Sequence, residues 1–264
     1  MNQTVSADHA VENCSAENGF TADPYVRAAE FYDLLAGPQW QQRGPAIAEA
    51  LQSVAVSSGP VLDIGAGTGP CVEVIARALP QAQIIAIEPS PAMRAALTSR
   101  LLAQPDLQQR VTVQPRMLQQ VTLPPQLAAV VCCGVIGYFD SATRQQFWHD
   151  WASRLAPGGV VIADVMMIDR PQFVPRMPVA SMMIGEHEYQ IWIQGEPADA
   201  ERQHWTLEYR ILAGTELLDS FAAEHDWYAF GMEQLAAEAA GAGFEGQRLG
   251  DALIPAAAFR LTNQ

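Results

Sequence analysis

The chain has 264 residues, 49% hydrophobic and 17% charged, enough for one large α/β domain or two small ones with a buried core, which excludes disorder of the whole chain. Its 15 basic residues are all arginine against 29 acidic ones, a net charge of -14, and the missing lysine excludes Schiff-base chemistry, a P-loop lysine and lysine general bases. Scattered arginines on an acidic chain argue against a nucleic-acid surface, which needs clustered cations, and leave a small-molecule or protein partner.

Residues 1–23 are polar and short of large aliphatics and read as a mobile arm. The first 22 residues lack the basic and apolar regions of a signal peptide, and no later run approaches the roughly 18 apolar residues that span a bilayer. Cys14, Cys71, Cys132 and Cys133 show neither metal spacing nor secreted-scaffold density, so a reducing, cytoplasmic setting without membrane contact is expected. Helical patterning begins after Asp23-Pro24, with Asp23 as N-cap and Pro24 at the first helical position. A second helix over 45–56 completes a helical cap spanning 24–58. The period then changes. Apolar runs at 61–64, 84–87, 111–113, 128–133 and 160–165 read as strands, most of them separated by helices over 71–79, 91–102 and 143–155. Continuous apolar strands alternating with helices predict a parallel sheet covered on both faces, over 59–165. Residues 166–230 alternate instead, as in Glu188 to Ile193 and His204 to Ile211, and predict an antiparallel insertion. A helix over 232–240 and a strand over 256–261 lie in the closing segment, 231–264.

The stretch Val61-Leu62-Asp63-Ile64-Gly65-Ala66-Gly67-Thr68-Gly69-Pro70 runs from an apolar strand through glycines into a helix. Such a turn lets backbone amides approach a ligand at the carboxyl edge of the sheet. A dinucleotide fingerprint would need glycine where Pro70 stands, and Asp63 suits a cationic ligand better than a pyrophosphate. Glu88 ends the second strand, where a carboxylate can accept both hydroxyls of a ribose.

These residues resemble the class I S-adenosylmethionine-dependent methyltransferases of the small-molecule type. Motif I is matched by Asp63 to Gly69, the ribose-binding acid by Glu88 before Pro89, and a post-strand signature by Arg154-Leu155-Ala156-Pro157-Gly158-Gly159. The resemblance implies a Rossmann-like, doubly wound, mostly parallel seven-stranded α/β sheet with an N-terminal helical cap and an antiparallel insertion before the last helix. It implies S-adenosylmethionine as cofactor, S-adenosylhomocysteine as product, and a cofactor site of Tyr32, Asp63, Gly65, Ala66, Gly67, Gly69, Glu88, Pro89, Met117, Leu118 and Cys133. The segment 224–244 is similar to the family's tail helix. One place departs from the pattern: after the third strand the acid that receives the adenine amino group is replaced by Pro115-Arg116-Met117-Leu118, leaving apolar contacts and backbone there.

Arg43 has two readings, a grip on the methionine carboxylate or a helix-surface arginine. Tyr138, Met182 and Met183 are expected to meet a flat or apolar acceptor, and Tyr138 and His225 are the catalytic candidates, although a sulfonium methyl needs little beyond alignment and desolvation. The expected function is methyl transfer to nitrogen or oxygen of a small metabolite. The alternative is a non-catalytic binder of the same cofactor. A nicotinamide-dependent reductase is disfavoured by Pro70 and by the lack of a Tyr-x-x-x-Lys pair. The insertion is expected to cover the acceptor and to offer a homodimer face.

Overall fold

The computed structural model describes residues 23, 25–251 and 253–262; the arm expected over 1–22 and the helix-starting role of Pro24 lie outside them. Helix α1 (Ala29–Leu51) leads through a 3₁₀ turn into β1 (Val61–Ile64), α2 (Pro70–Ala78), β2 (Ile84–Ile87), α3 (Pro91–Leu102), α4 (Pro105–Arg110), β3 (Val111–Gln114), β4 (Leu127–Cys132), α5 (Ser141–Arg154) and β5 (Leu155–Asp164). Four long strands follow, β6 (Val174–Ile184), β7 (His187–Pro197), β8 (Arg202–Ala213) and β9 (Glu216–Tyr228), then α6 (Met232–Gly241), β10 (Phe244–Leu249) and β11 (Ala256–Leu261).

The first sheet has seven strands in the order β10-β11-β5-β4-β1-β2-β3. Strands β1 to β5 are parallel, and β11 runs antiparallel to β5 and β10. This is the doubly wound α/β fold that the sequence implies, with the chain reversing from β1 outward to β2 and β4 on its two sides. Every residue of β1 and β4 is buried, because helices cover both faces. Ile47, Leu51, Val72 and Ile75 of α1 and α2 pack with Val61 on one face. Phe147, Trp148 and Trp151 of α5 and Leu235 of α6 pack with Leu62 and Ile64 on the other. Asp63 therefore points to the α1–α2 side, beside Val61, by the two-residue repeat of a strand.

The second sheet is antiparallel in the order β6-β7-β8-β9. In β8, Gln203, Trp205, Leu207 and Tyr209 are buried while His204, Thr206, Glu208 and Arg210 are only partly covered, the alternation of a sheet with one packed face. That face sits against Phe31 and Leu34 at the start of α1.

Several expected boundaries move. The two cap helices are one, running through Pro38 and Pro45, because its apolar side is held by the sheet rather than by an unbroken hydrogen-bond ladder. Asp23 does not cap that helix; its Oδ1 accepts from the Tyr25 amide in a turn that precedes Ala29. The tail helix expected over 224–244 begins only at Met232, since 224–228 are the end of β9. Helix α4, six residues long, is not among the expected elements, and β10, the strand that completes the expected seven, has no apolar run to mark its place because it is an edge strand with an exposed, polar middle.

Candidate cofactor and acceptor site

The loop after β1 turns on three left-handed glycines, Gly65 (φ 70°), Gly67 (φ 57°) and Gly69 (φ 101°), a conformation that side chains disfavour. Space forbids them as well: a β-carbon at Gly65 would overlap the Val135 side chain, and one at Gly69 would come within 2.7 Å of Leu97 Cδ1. Gly65 and Ala66 donate their amides to the Ile87 carbonyl, so the loop is tied to the tip of β2. There Glu88 accepts from the Gly67 amide (2.8 Å) and the Ser90 amide (2.8 Å). Burial, followed by those two bonds acting in the opposite sense, leaves its carboxyl above the ordinary range.

Asp63 is 1% exposed, and its Oδ2 has no partner among the described residues. Burial pushes its carboxyl up to about 7, despite a hydrogen bond with Cys71. Arg43 faces the same region. It is 6% exposed, bonds Asp164 through Nη1, lies 4.1 Å over the Trp40 ring, and leaves its Nε without a partner. The helix-surface reading of Arg43 is thereby overturned: α1 lays this side chain inward across the sheet edge. A buried acceptor and a buried donor left open on neighbouring groups match the ammonium and carboxylate of an amino-acid zwitterion.

The other expected cofactor residues lie on α1, after β2, after β3 and after β4. Tyr32 packs its ring edge over Gly67, about 3.4 Å from where a β-carbon would stand. Cys133 is buried at the end of β4. Pro89 turns its carbonyl to Arg94 (2.7 Å). Met117 spends its amide on the Gln120 side chain (3.2 Å) and its carbonyl on the Gln120 amide, while Leu118 opens a 3₁₀ turn and is half-buried.

Tyr138, 41% exposed in the turn after β4, joins the core to the insertion. Its hydroxyl is 2.6 Å from that of Tyr25, and its ring centroid is 4.7 Å from that of Trp227 and 6.4 Å from that of His225 on β9. Burial pushes His225 down to about 4, so its imidazole is neutral at pH 7. Tyr25 and Trp227 are not among the expected site residues. No local spacing marks them, since the chain's two ends bring them to Tyr138. Met182 and Met183 do not join this group. They are successive residues of edge strand β6, opposite Tyr189 and Glu188 and close to the β6–β7 turn, so they point to opposite faces and cannot share one pocket wall. Met183 is 61% exposed.

A mostly parallel, doubly wound seven-stranded sheet with a glycine turn at its carboxyl edge is the Rossmann-like fold of methyltransferases. Residues 62–161 match a family model described as a methyltransferase domain. The chain thus carries a methyltransferase domain and is an enzyme that uses S-adenosylmethionine. Among solved structures it is similar to the sugar N-methyltransferase KedS8 from Streptoalloteichus (19% identity, 96% of this chain and 98% of that one, TM-score 0.68). It is also similar to CalS10, an amino pentose methyltransferase from Micromonospora echinaspora solved with S-adenosylmethionine bound (18%, 91% and 100%, 0.68), and to the glycopeptide N-methyltransferase MtfA (19%, 84% and 88%, 0.54). At these identities the likeness is one of fold. No curated protein matches the sequence. No described helix is long and apolar enough to cross a membrane.

Proposed function

We propose that this enzyme methylates an amine nitrogen of a small, largely apolar or aromatic metabolite, at a site walled by Tyr25, Tyr138, His225 and Trp227. The observation that carries this reading is the neutrality of that wall. His225 is the one imidazole in it and is held near 4, which makes it a weak base. Glu88, a carboxylate whose charge bears on both Tyr25 and Tyr138, already accepts a backbone amide on each oxygen and is the acid assigned to the ribose. An alcohol would need a strong base at this point, whereas an uncharged amine brings its own lone pair. The sugar and glycopeptide N-methyltransferases of the same fold lend the reading support by their names.

The cofactor supplies an electrophilic methyl on a sulfonium. The protein's part is to bind and align: Glu88 and the glycine loop hold the ribose, Asp63 and Arg43 the amino-acid end, Tyr32 covers the loop, and Met117 and Leu118 border the adenine. Tyr138 and Trp227 exclude water and place the acceptor, whose approach geometry supplies most of the rate. The insertion over 166–230 acts as the acceptor's cover, and three buried free thiols, Cys71, Cys132 and Cys133, support a reducing, cytoplasmic setting. Tyr138→Ala is expected to change acceptor KM or kcat by about tenfold, near 1.4 kcal/mol, with S-adenosylhomocysteine affinity nearly unchanged. Equal losses for both ligands would refute the acceptor assignment, and a screen that returns only O-methylated products would refute the amine.

Self-association belongs to the same proposal. It is supported by the uncovered face and tip of the insertion, where Met183 and Leu217 stand exposed on edge strands. Light scattering at micromolar concentration that finds only the 28.7 kDa mass would end it.

A further inference from the structure

Asp164 ends β5 and is 2% exposed. It is not a stray buried acid, because both of its oxygens are used. Oδ2 accepts from Arg43 Nη1, and Oδ1 accepts from the amide of Gly134 at 2.7 Å. Gly134, separated from the end of β4 by Cys133 alone, is in the left-handed region (φ 72°). One carboxylate thus fixes two things: the end of a guanidinium from α1, and the backbone bend by which β4 leaves the sheet.

The guanidinium is constrained from a second direction. Trp40 packs on its face at 4.1 Å, so it can neither tilt nor swing. With Nη1 on Asp164, the edge formed by Nε and Nη2 is the one left over. That edge carries two parallel N–H groups and pairs with a carboxylate in a fork. Nε is buried and has no partner among the described residues. A lysine here would offer charge without such an edge.

We infer that Asp164 is a positioning residue for the cofactor's amino-acid end: by taking Nη1 it presents the Nε–Nη2 edge of Arg43 to the carboxylate, and so lets the enzyme tell its cofactor from nucleosides that lack that end. The inference rests on the placement of Arg43 in the proposed cofactor site and goes beyond it, since Asp164 itself touches no ligand. A wholly structural Asp164 would affect all ligands alike.

The test compares two ligands with the same nucleoside, S-adenosylhomocysteine and methylthioadenosine, of which only the first has the amino-acid end. Their affinities are measured by calorimetry on the full chain. The wild type should prefer S-adenosylhomocysteine, and no preference would overturn the Arg43 assignment and this inference with it. Asp164→Asn keeps the shape but leaves one acceptor for two donors. It should weaken S-adenosylhomocysteine about tenfold or more while methylthioadenosine stays within about twofold. A preserved preference, or equal losses for both ligands, would overturn the role of Asp164 and leave the cofactor reading standing. If Asp164→Asn does not fold, Arg43→Lys decides, because it keeps the charge and the buried pair but not the fork. It should show the same selective loss, and an unchanged preference would overturn the inference.

Discussion

The two sheets bury their residues in different ways, and the difference separates the two halves of the site. Strands β1 and β4 are covered on both faces, so their side chains are committed to the core except Asp63, whose Oδ2 stays open, and the rest of the proposed cofactor site falls to the strand ends: the glycine loop, the Gly134 turn and Glu88. Strands β8 and β9 have one covered face, and their contribution to the proposed acceptor site is side chains, His225 and Trp227. Nucleoside recognition by backbone depends little on side-chain identity, whereas acceptor recognition by side chains can vary freely.

The largest effect that would sharpen this contrast lies wholly on the core side. Arg144 of α5 holds Glu238 of α6 through two bonds of 2.9 and 2.8 Å, donates to the Phe139 carbonyl, and lies 3.8 Å over Phe230. With side chains only 3% and 10% exposed, Arg144→Ala should cost about 3–5 kcal/mol, because it strands a buried charge. Denaturant unfolding measures this, and a loss under 1 kcal/mol would show that the helix pair relaxes and rehydrates.

Next comes the joint between the halves. A β-carbon at Gly137 would overlap the Trp227 indole nitrogen, so Gly137→Ala must push β9 away from the turn that carries Tyr138. Overpacking of this kind costs about 1–3 kcal/mol of stability. Turnover should fall about 100-fold, near 2.7 kcal/mol, with S-adenosylhomocysteine affinity retained. Loss of cofactor binding in the same variant would mean that the two halves are one cooperative site.

Glu88→Ala should weaken S-adenosylmethionine binding by about 1.5–3 kcal/mol, the range for hydrogen bonds to a charged group. The acid also holds the Gly67 and Ser90 amides, so part of that loss is loop order. An unchanged affinity in a folded protein would remove Glu88 from the ribose site.

The smallest effect is one of pH. Asp63 sits at about 7 in the folded chain against an ordinary 3.8, so the folded state binds the extra proton. Its contribution to stability is full below about pH 4, declines as pH rises toward 7, and is lost above. Binding has the opposite sense, because an ammonium favours the ionised acid. Cofactor affinity should therefore rise through pH 7 and level off above it, and Asp63→Asn should flatten that step. A step that survives in the variant would assign it to another group.

Much of the first half was legible in the sequence, because it is local. Glycine, acid and strand stand together in 61–69, and Glu88 follows the next strand at a fixed spacing. The second half depends on residues far apart in the chain: Tyr25 and Trp227 reach Tyr138 from opposite ends, and no periodicity foretells such a meeting. Arg43 misled for a related reason. A polar residue in a helix with prolines at 38 and 45 reads as surface until the sheet edge beneath it is known. The methionines at 182 and 183 attracted notice by composition, but the two-residue repeat of a strand divides them between faces.

Asp23, Tyr25 and Arg27 fasten the approach to α1 at three points. Asp23 accepts from Ser90 Oγ at 2.6 Å, 67 residues away; Tyr25 meets Tyr138 across 113 residues; Arg27 donates to Asp219 at 2.8 Å across 192. The first two need the loops after β2 and β4 of the first sheet in place and the third needs β9 of the second, and each closes a long loop at entropic cost. In the order of folding, this segment is the last piece to dock. The same economy makes it the first to let go, since its anchors are partly exposed and cost little to break, and unfastening it uncovers the Glu88 and Tyr138 ends of the site together.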